Sequence, residues 1–176
     1  MIGQIVEIPY ESLVYQKEKP VFLSKEEELF WRVEQRRYSL FDGFIVGEHN
    51  GVEGFEIGQR KGLNVSGKKL PVYVIGIDEH ENRLFVGQGK DHPGLFCDVF
   101  LFTDQNINWL TQSIDELEVE IDVEVKSSVL KEKKGAKFYQ FGKKYFLEFD
   151  IQIPLILKNY TIELSSNKTN FIKLNK

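Results

Sequence analysis

Strict alternation of apolar and acidic residues from Glu116 to Val125 is the feature that most constrains how this chain folds. Successive residues of a β-strand point to opposite faces of a sheet, so one set faces a core and the other faces water. The apolar set is Leu117, Val119, Ile121, Val123 and Val125, and the acidic set is Glu116, Glu118, Glu120, Asp122 and Glu124. The segment therefore predicts a half-buried strand at the surface of a sheet.

Other segments rich in β-branched residues, separated by turn-forming residues, predict further strands. We expect them at 2–8, 71–77, 83–86, 147–153, 159–164 and 171–174. Ser24 and Glu27 match a capping box, which predicts one helix over about 24–38. The sequence thus predicts a mainly β protein with two small β-rich domains. The first spans 1–95 and carries the inserted helix, and the second, 96–176, is an antiparallel β-barrel.

Composition restricts the compartment and the chemistry. The 176 residues include one cysteine, which excludes an internal disulfide and a Cys-based zinc site. The longest apolar run, 95–102, is too short to span a membrane, and the N-terminus lacks a signal-peptide pattern. We therefore expect a protein of the reducing cytoplasm with no membrane partner.

Neither a metal site nor a catalytic residue is predicted. The three histidines, His49, His80 and His92, have no metal-ligand spacing, and no nucleotide-binding fingerprint is present. Cys97 has apolar neighbours and no nearby base to activate its thiol, so we interpret it as a core residue. No cofactor is expected.

The most basic stretch, 126–144, is the strongest nucleic-acid candidate on pattern alone. Lysines contact phosphates, and the interleaved aromatic residues Phe138, Tyr139 and Phe141 have the chemistry to stack on bases. The alternative is a hairpin with a solvated tip, lysines that oppose aggregation at the sheet edge, and aromatic side chains that face the core. The candidate RNA-binding lysines are Lys126, Lys131, Lys133, Lys134, Lys137, Lys143 and Lys144.

Two glycine-rich segments stand out in the first half. The turn Gly58-Gln59-Arg60-Lys61-Gly62 displays two cations, so Arg60 and Lys61 join the candidate phosphate contacts. Its alternative is a solvated basic tip. The segment Val86-Gly87-Gln88-Gly89, followed by Asp91-His92-Pro93, is interpreted as a connecting loop.

These segments carry a family resemblance. Residues 46–51, 57–63, 84–95 and the pair Asn108-Trp109 resemble, in order and spacing, the bacterial tRNA-specific 2-thiouridylases. Those enzymes activate a wobble uridine of tRNA with ATP and replace its 2-oxygen with sulfur carried on a cysteine. The resemblance covers a central domain and a C-terminal β-barrel. It implies an architectural role for Gly58, Gln59, Gly62, Gly87, Gly89, His92 and Pro93.

The resemblance also implies what this chain lacks. A nucleotide loop of the Ser-Gly-Gly-Val-Asp-Ser type and the two catalytic cysteines are not in the sequence, so the chain alone is not expected to be an enzyme. The family's Arg-Tyr and Pro-Gly-Gln elements, tied to tRNA contact, fall by order near 126–129 and 158–160 and are not kept.

Three hypotheses remain open. The chain is a non-catalytic tRNA-binding module that works with a separate thiolation enzyme, or a protein-interaction module that has lost RNA binding. Alternatively, it is one part of a split enzyme that is active with a separate ATP-pyrophosphatase domain.

Overall fold

The computed structural model describes residues 2–110, 118–166 and 169–175. Strands make up 43% of the chain, which confirms the predicted mainly β class. The helix α1 is Lys25–Glu34. The strands are β1 Gly3–Glu7, β2 Phe44–His49, β3 Val72–Asp78, β4 Arg83–Gln88, β5 Phe96–Thr103, β6 Ile107–Trp109, β7 Glu118–Lys126, β8 Lys134–Phe141, β9 Lys144–Pro154, β10 Ile162–Ser166 and β11 Thr169–Leu174.

Contacts divide the chain into two compact units that do not follow chain order. Unit 1 comprises Met1–Val21 and Glu34–Phe96, and unit 2 comprises Phe22–Val33 and Cys97–Lys176. The sequence interpretation placed the helix in the first domain, whereas its contacts group most of it with unit 2. The domain limits 1–95 and 96–176 stay a prediction, because contacts alone do not test independent folding.

Unit 1 is built on a four-stranded sheet in the order β2-β1-β4-β3. The predicted hairpin is present as the antiparallel pair β3 and β4, while β1 runs parallel to β4. Neighbouring residues of β1 enter different cores, Ile5 on one face of the sheet and Val6 on the other. Both faces are therefore covered, which explains why the centres of β1 and β4 carry adjacent apolar residues, Ile5-Val6 and Leu84-Phe85-Val86.

Unit 2 is a curled antiparallel sheet of seven strands in the order β5-β9-β8-β7-β10-β11-β6. The sheet forms a half-barrel, so its antiparallel, curled character agrees with the predicted antiparallel barrel. The alternation in β7 is oriented as expected, because Val123 and Val125 are buried while Glu120, Asp122 and Glu124 are exposed. Cys97 is fully buried in the same core.

The helix α1 covers the opposite face of this sheet. Its first turn is capped at Ser24 as predicted, since Ser24 Oγ accepts a hydrogen bond from the Glu27 N–H at 3.1 Å. The Glu27 carboxylate completes the cap differently from the predicted capping box, because it accepts from the Leu23 N–H at 2.9 Å. The helix ends at Glu34, four residues short of the expected end. Leu29 is fully buried in a second cluster with Val99, Tyr139 and Phe146. No helix in the described ranges has both the length and the apolar character needed to cross a membrane.

Candidate nucleic-acid interface

The acidic face of β7 lies beside the lysines of residues 126–144, which we call the lysine hairpin. Antiparallel register sets Asp122 opposite Lys137. Lys137 forms an ion pair with Glu120, and the Lys133 ammonium lies 2.8 Å from the Glu124 carboxylate. The hydrogen bond to Glu120 raises the pKa of Lys137. The two strands therefore neutralise each other across the outer face of the sheet.

The remaining predicted lysines are also compensated, with one exception. Lys134 pairs with Glu132 at 2.6 Å and Lys144 with Glu26 at 3.0 Å. Two longer pairs join Lys126 to Glu163 at 4.0 Å and Lys143 to Asp104 at 3.8 Å. Lys131 is exposed and has no ion pair with a described residue. The hairpin therefore presents little uncompensated positive charge to a phosphate backbone.

Two of the three aromatic side chains of the hairpin, Phe138 and Tyr139, are buried and not available to stack on bases. Phe138 is fully buried in the main core of unit 2. Tyr139 is 4% exposed beneath α1, and burial raises its pKa well above the usual range. Phe141 is only partly exposed and stacks on Tyr139 with ring centroids 6.1 Å apart. The core-facing alternative therefore describes Phe138 and Tyr139 correctly.

A polar network joins α1 to the sheet of unit 2. The carboxylate of Glu148 pairs with Lys25 at 2.9 Å and with Arg32, and it accepts a hydrogen bond from the Tyr139 hydroxyl at 3.1 Å. Arg32 also pairs with Asp98 at 3.0 Å. Burial acts to raise the pKa of Glu148, but the hydrogen bonds from Lys25 and Arg32 outweigh it and the pKa is lowered. The cations of the helix are therefore structural partners of the sheet.

In unit 1, the glycine turn is fixed by the side chain of Gln59. Its Oε1 accepts from the Glu56 N–H at 3.0 Å and its Nε2 donates to the Lys61 carbonyl at 2.9 Å. Backbone hydrogen bonds between this turn and Val74 attach it to β3. Gly58 and Gly62 have φ of 83° and 82°, where side chains with a Cβ are strained. The exposed Arg60 and Lys61 therefore stand on a well-defined turn.

A groove of about 390 Å³ begins at this turn, and we call it the loop groove. It is lined by Arg60, Gly62, Leu63, Asn64, Val65, Gly67, Lys68, Lys69, Leu70, Pro71 and Val72. No carboxylate is among these lining residues. Arg60 and Lys69 are exposed and have no ion pair with any residue in the described part of the chain. The loop groove therefore presents uncompensated positive charge, unlike the lysine hairpin.

Lys68 is held at the edge of the loop groove by a buried carboxylate. Its ammonium lies 2.6 Å from Glu7, which is 4% exposed on β1. Gln88 donates to the same carboxylate at 2.6 Å and accepts from the Leu70 N–H at 3.3 Å. Residues of β1 and β4 thus anchor the segment that carries Lys68 and Lys69.

The second glycine segment has a packing role. A Cβ on Gly87 would lie 2.5 Å from the ring of His92, so only glycine leaves room for the imidazole. His92 Nδ1 accepts from the Gly94 N–H at 3.1 Å, which leaves the proton on Nε2 to be donated to the Ile8 carbonyl at 3.0 Å. Gly89 has φ of 89° and its N–H donates to Pro71. Pro93 begins the short 3₁₀ turn that follows His92.

Sequence reasoning did not identify Lys68 and Lys69. The usable signal was an adjacent lysine pair between Gly67 and Pro71, a loop composition close to the basic turn. It also did not predict the contacts of Glu148, whose partners Lys25 and Arg32 are remote in sequence. The described residues contain no group of three or more His, Cys, Asp or Glu side chains that could hold a metal ion.

Comparisons with known proteins agree with the sequence resemblance. Residues 32–88, which include the loop groove, match a family model described as a tRNA methyl transferase PRC-barrel domain. The chain is 35% identical over 150 residues to the tRNA-specific 2-thiouridylase MnmA of Karelsulcia muelleri, covering 85% of this chain and 36% of that protein. It is 32% identical over 153 residues to the protein of the same name from Flavobacterium johnsoniae, covering 84% and 38%. The chain spans little more than a third of the length of these relatives.

Proposed function

Because the chain belongs to the tRNA-specific 2-thiouridylase family, we propose that it is a non-catalytic module that binds tRNA during wobble-uridine 2-thiolation. The observation that carries the proposal is the loop groove, where Arg60 and Lys69 have no carboxylate partner among the described residues and Lys61 is exposed on the adjoining turn. Uncompensated cations bind RNA by releasing counterions from phosphates, whereas lysines already paired with carboxylates gain much less.

A non-catalytic role is consistent with the chemistry of this chain. Cys97 is fully buried in an apolar core, where its thiol is inaccessible to a sulfur donor or an RNA base. The ATP-dependent chemistry would therefore come from a separate thiolation enzyme or ATP-pyrophosphatase domain. The proposal places both partners in the cytoplasm.

Fluorescence anisotropy with a labelled tRNA of the 2-thiolated class tests the proposal. Phosphate contacts by Arg60, Lys61 and Lys69 would give a slope of log K against log salt concentration of about −2.7. This slope corresponds to roughly a 40-fold loss of affinity between 50 and 200 mM salt. The triple variant Arg60→Gln/Lys61→Gln/Lys69→Gln should lose most of this salt dependence and most of its affinity. Absence of tRNA binding by the parent protein at 50 mM salt would refute the proposal.

A matched variant separates position from total charge. Lys131→Gln/Lys133→Gln/Lys137→Gln removes the same number of positive charges from the hairpin of unit 2, where two of the three lysines are paired. We expect it to keep tRNA affinity within about threefold of the parent protein. Loss of binding in this variant, with binding retained in the loop-groove variant, would assign the RNA contact to the hairpin instead.

A protein-interaction or split-enzyme function is the second candidate. The edge strand β2 carries Phe44 and Ile45 at 49% and 51% exposure, and Phe41 just before it is 96% exposed. Exposed apolar side chains at a strand edge favour a protein partner. If this function applies, Phe41→Asp should abolish association with a separately expressed 2-thiouridylase catalytic portion and leave the thermal stability unchanged. Equal association of variant and parent would reject this role for the edge.

A further inference from the structure

Building on the RNA-binding function proposed above, we infer that the loop groove contacts the sugar-phosphate backbone of folded RNA and reads no base. The chain then positions a tRNA without selecting it, and selection among tRNAs belongs to the partner. If the groove reads bases, this inference is wrong although RNA binding itself is confirmed.

The chemistry of the lining residues supports backbone contact. Arg60, Lys68 and Lys69 donate hydrogen bonds and accept none, which suits phosphate oxygens. Proteins that read RNA bases splay them onto aromatic side chains or pair their edges with groups that both donate and accept. No aromatic residue is among the lining residues, and Asn64 is the single amide side chain among them. One amide cannot distinguish a run of bases.

The aromatic ring of Phe44 on β2 lies beside Lys68. Phe44 is 49% exposed, and the Lys68 ammonium lies 5.2 Å from the centroid of its ring. A cation at this distance occupies a ring face that a base would otherwise use. Because Glu7 holds the same ammonium at 2.6 Å, moving the ammonium aside would leave a buried carboxylate without its cation. Phe44 is therefore a poor stacking surface.

The anchoring of the loop groove favours a preformed RNA surface. Gln59 fixes the turn that carries Arg60 and Lys61, while Glu7 and Gln88 fix the segment that carries Lys68 and Lys69. A fixed backbone keeps these side chains at a constant spacing, which matches phosphates that are already held in place, as in the A-form stems of a folded RNA. A flexible single strand must be ordered before it makes the same contacts, which costs affinity.

Anisotropy titrations with four labelled RNAs test the inference on the whole chain. The probes are a 2-thiolated-class tRNA, an unrelated tRNA, and two unrelated 16-base-pair RNA duplexes, each at 50 and 200 mM salt. We expect the two tRNAs to bind within threefold of each other, and the two duplexes likewise. The loop-groove triple variant should weaken all four probes by similar factors.

A tenfold or larger preference for one tRNA, or for one duplex sequence, would overturn the inference while leaving RNA binding intact. Phe44→Leu provides an independent check, since it removes the aromatic ring and keeps an apolar side chain. A tenfold loss of affinity for a single-stranded RNA in this variant, with duplex affinity unchanged, would indicate base stacking and would also overturn it. If none of the probes binds at 50 mM salt, the proposed function itself fails.

Discussion

Truncation of Leu29 to alanine should destabilise unit 2, because this side chain is the buried anchor of α1. Leu29 is fully buried against Val99, Tyr139 and Phe146. Removing three carbon groups costs about 2.4 kcal/mol in transfer free energy at about 0.8 kcal/mol each, and the cavity left behind adds to this. Since the helix lies on an open sheet face and can partly settle, we expect a total of about 3 kcal/mol.

Leu23→Ala is the matched control. It makes the same chemical change just before the same helix, at a side chain that is 97% exposed. Surface substitutions of this kind usually change the free energy of unfolding by about 0.5 kcal/mol or less. The comparison therefore separates the effect of burial from the hydrophobicity of the residue itself.

Urea unfolding followed by tryptophan fluorescence reports on unit 2. The chain has two tryptophans, Trp31 and Trp109, and both belong to unit 2. With an m-value of about 1.5 kcal/mol/M, a loss of 3 kcal/mol lowers the midpoint by about 2 M. A loss below about 1 kcal/mol for Leu29→Ala, or equal losses for both variants, would contradict the docking of α1 on this sheet.

Three further predictions concern buried polar and glycine positions. Gly87→Ala drives a Cβ into the His92 ring and should cost unit 1 about 1–3 kcal/mol, seen as faster amide hydrogen exchange in β4. Burial lowers the pKa of His92, so as the pH falls the unfolded chain takes up the proton before the folded chain does. The stability of unit 1 should therefore fall as the pH drops below about 6.5. His92→Gln should flatten this pH dependence, measured by the same amide hydrogen exchange. Because the pKa of Glu148 is lowered in the folded protein, its ionised carboxylate stabilises unit 2 above about pH 4.5. This stabilisation is lost as the pH falls through the folded-state pKa. Glu148→Gln should therefore cost about 2 kcal/mol at pH 7 and show a weaker acid dependence in urea unfolding, whereas an unchanged pH profile would contradict the network.

Local patterns predicted the elements that local physics determines. The alternation before Val125 identified β7 and its faces, and the Ser24 cap located the start of α1. Pairing between remote strands left no such signal, so the parallel contact of β1 with β4 was not predicted. The packing partner of Leu29 was missed for the same reason, because periodicity specifies a buried face and not what covers it.

Candidate charges were harder to predict than strands. The lysines at 126–144 form a basic cluster in the sequence, but the antiparallel register places Lys137 beside the acidic face of β7. Charge compensation of this kind depends on which residues face each other across strands, and a local count cannot contain it. Lys69 shows the converse. Its positive charge becomes notable only when the structure shows that no carboxylate lines the groove beside it.

The interleaving of the two units along the chain has a consequence for synthesis. The strand β1 leaves the ribosome before its neighbours in the sheet, β2 and β4, and the second of these ends at Gln88. The helix α1 is also made early, but Leu29 has no apolar cover until β5, β8 and β9 have emerged. Domains usually fold as units during translation, N-terminal part first. Apolar residues of β1 and α1 therefore stay without part of their packing partners until later strands emerge. Ribosome pausing before residue 88 should leave them exposed to chaperones.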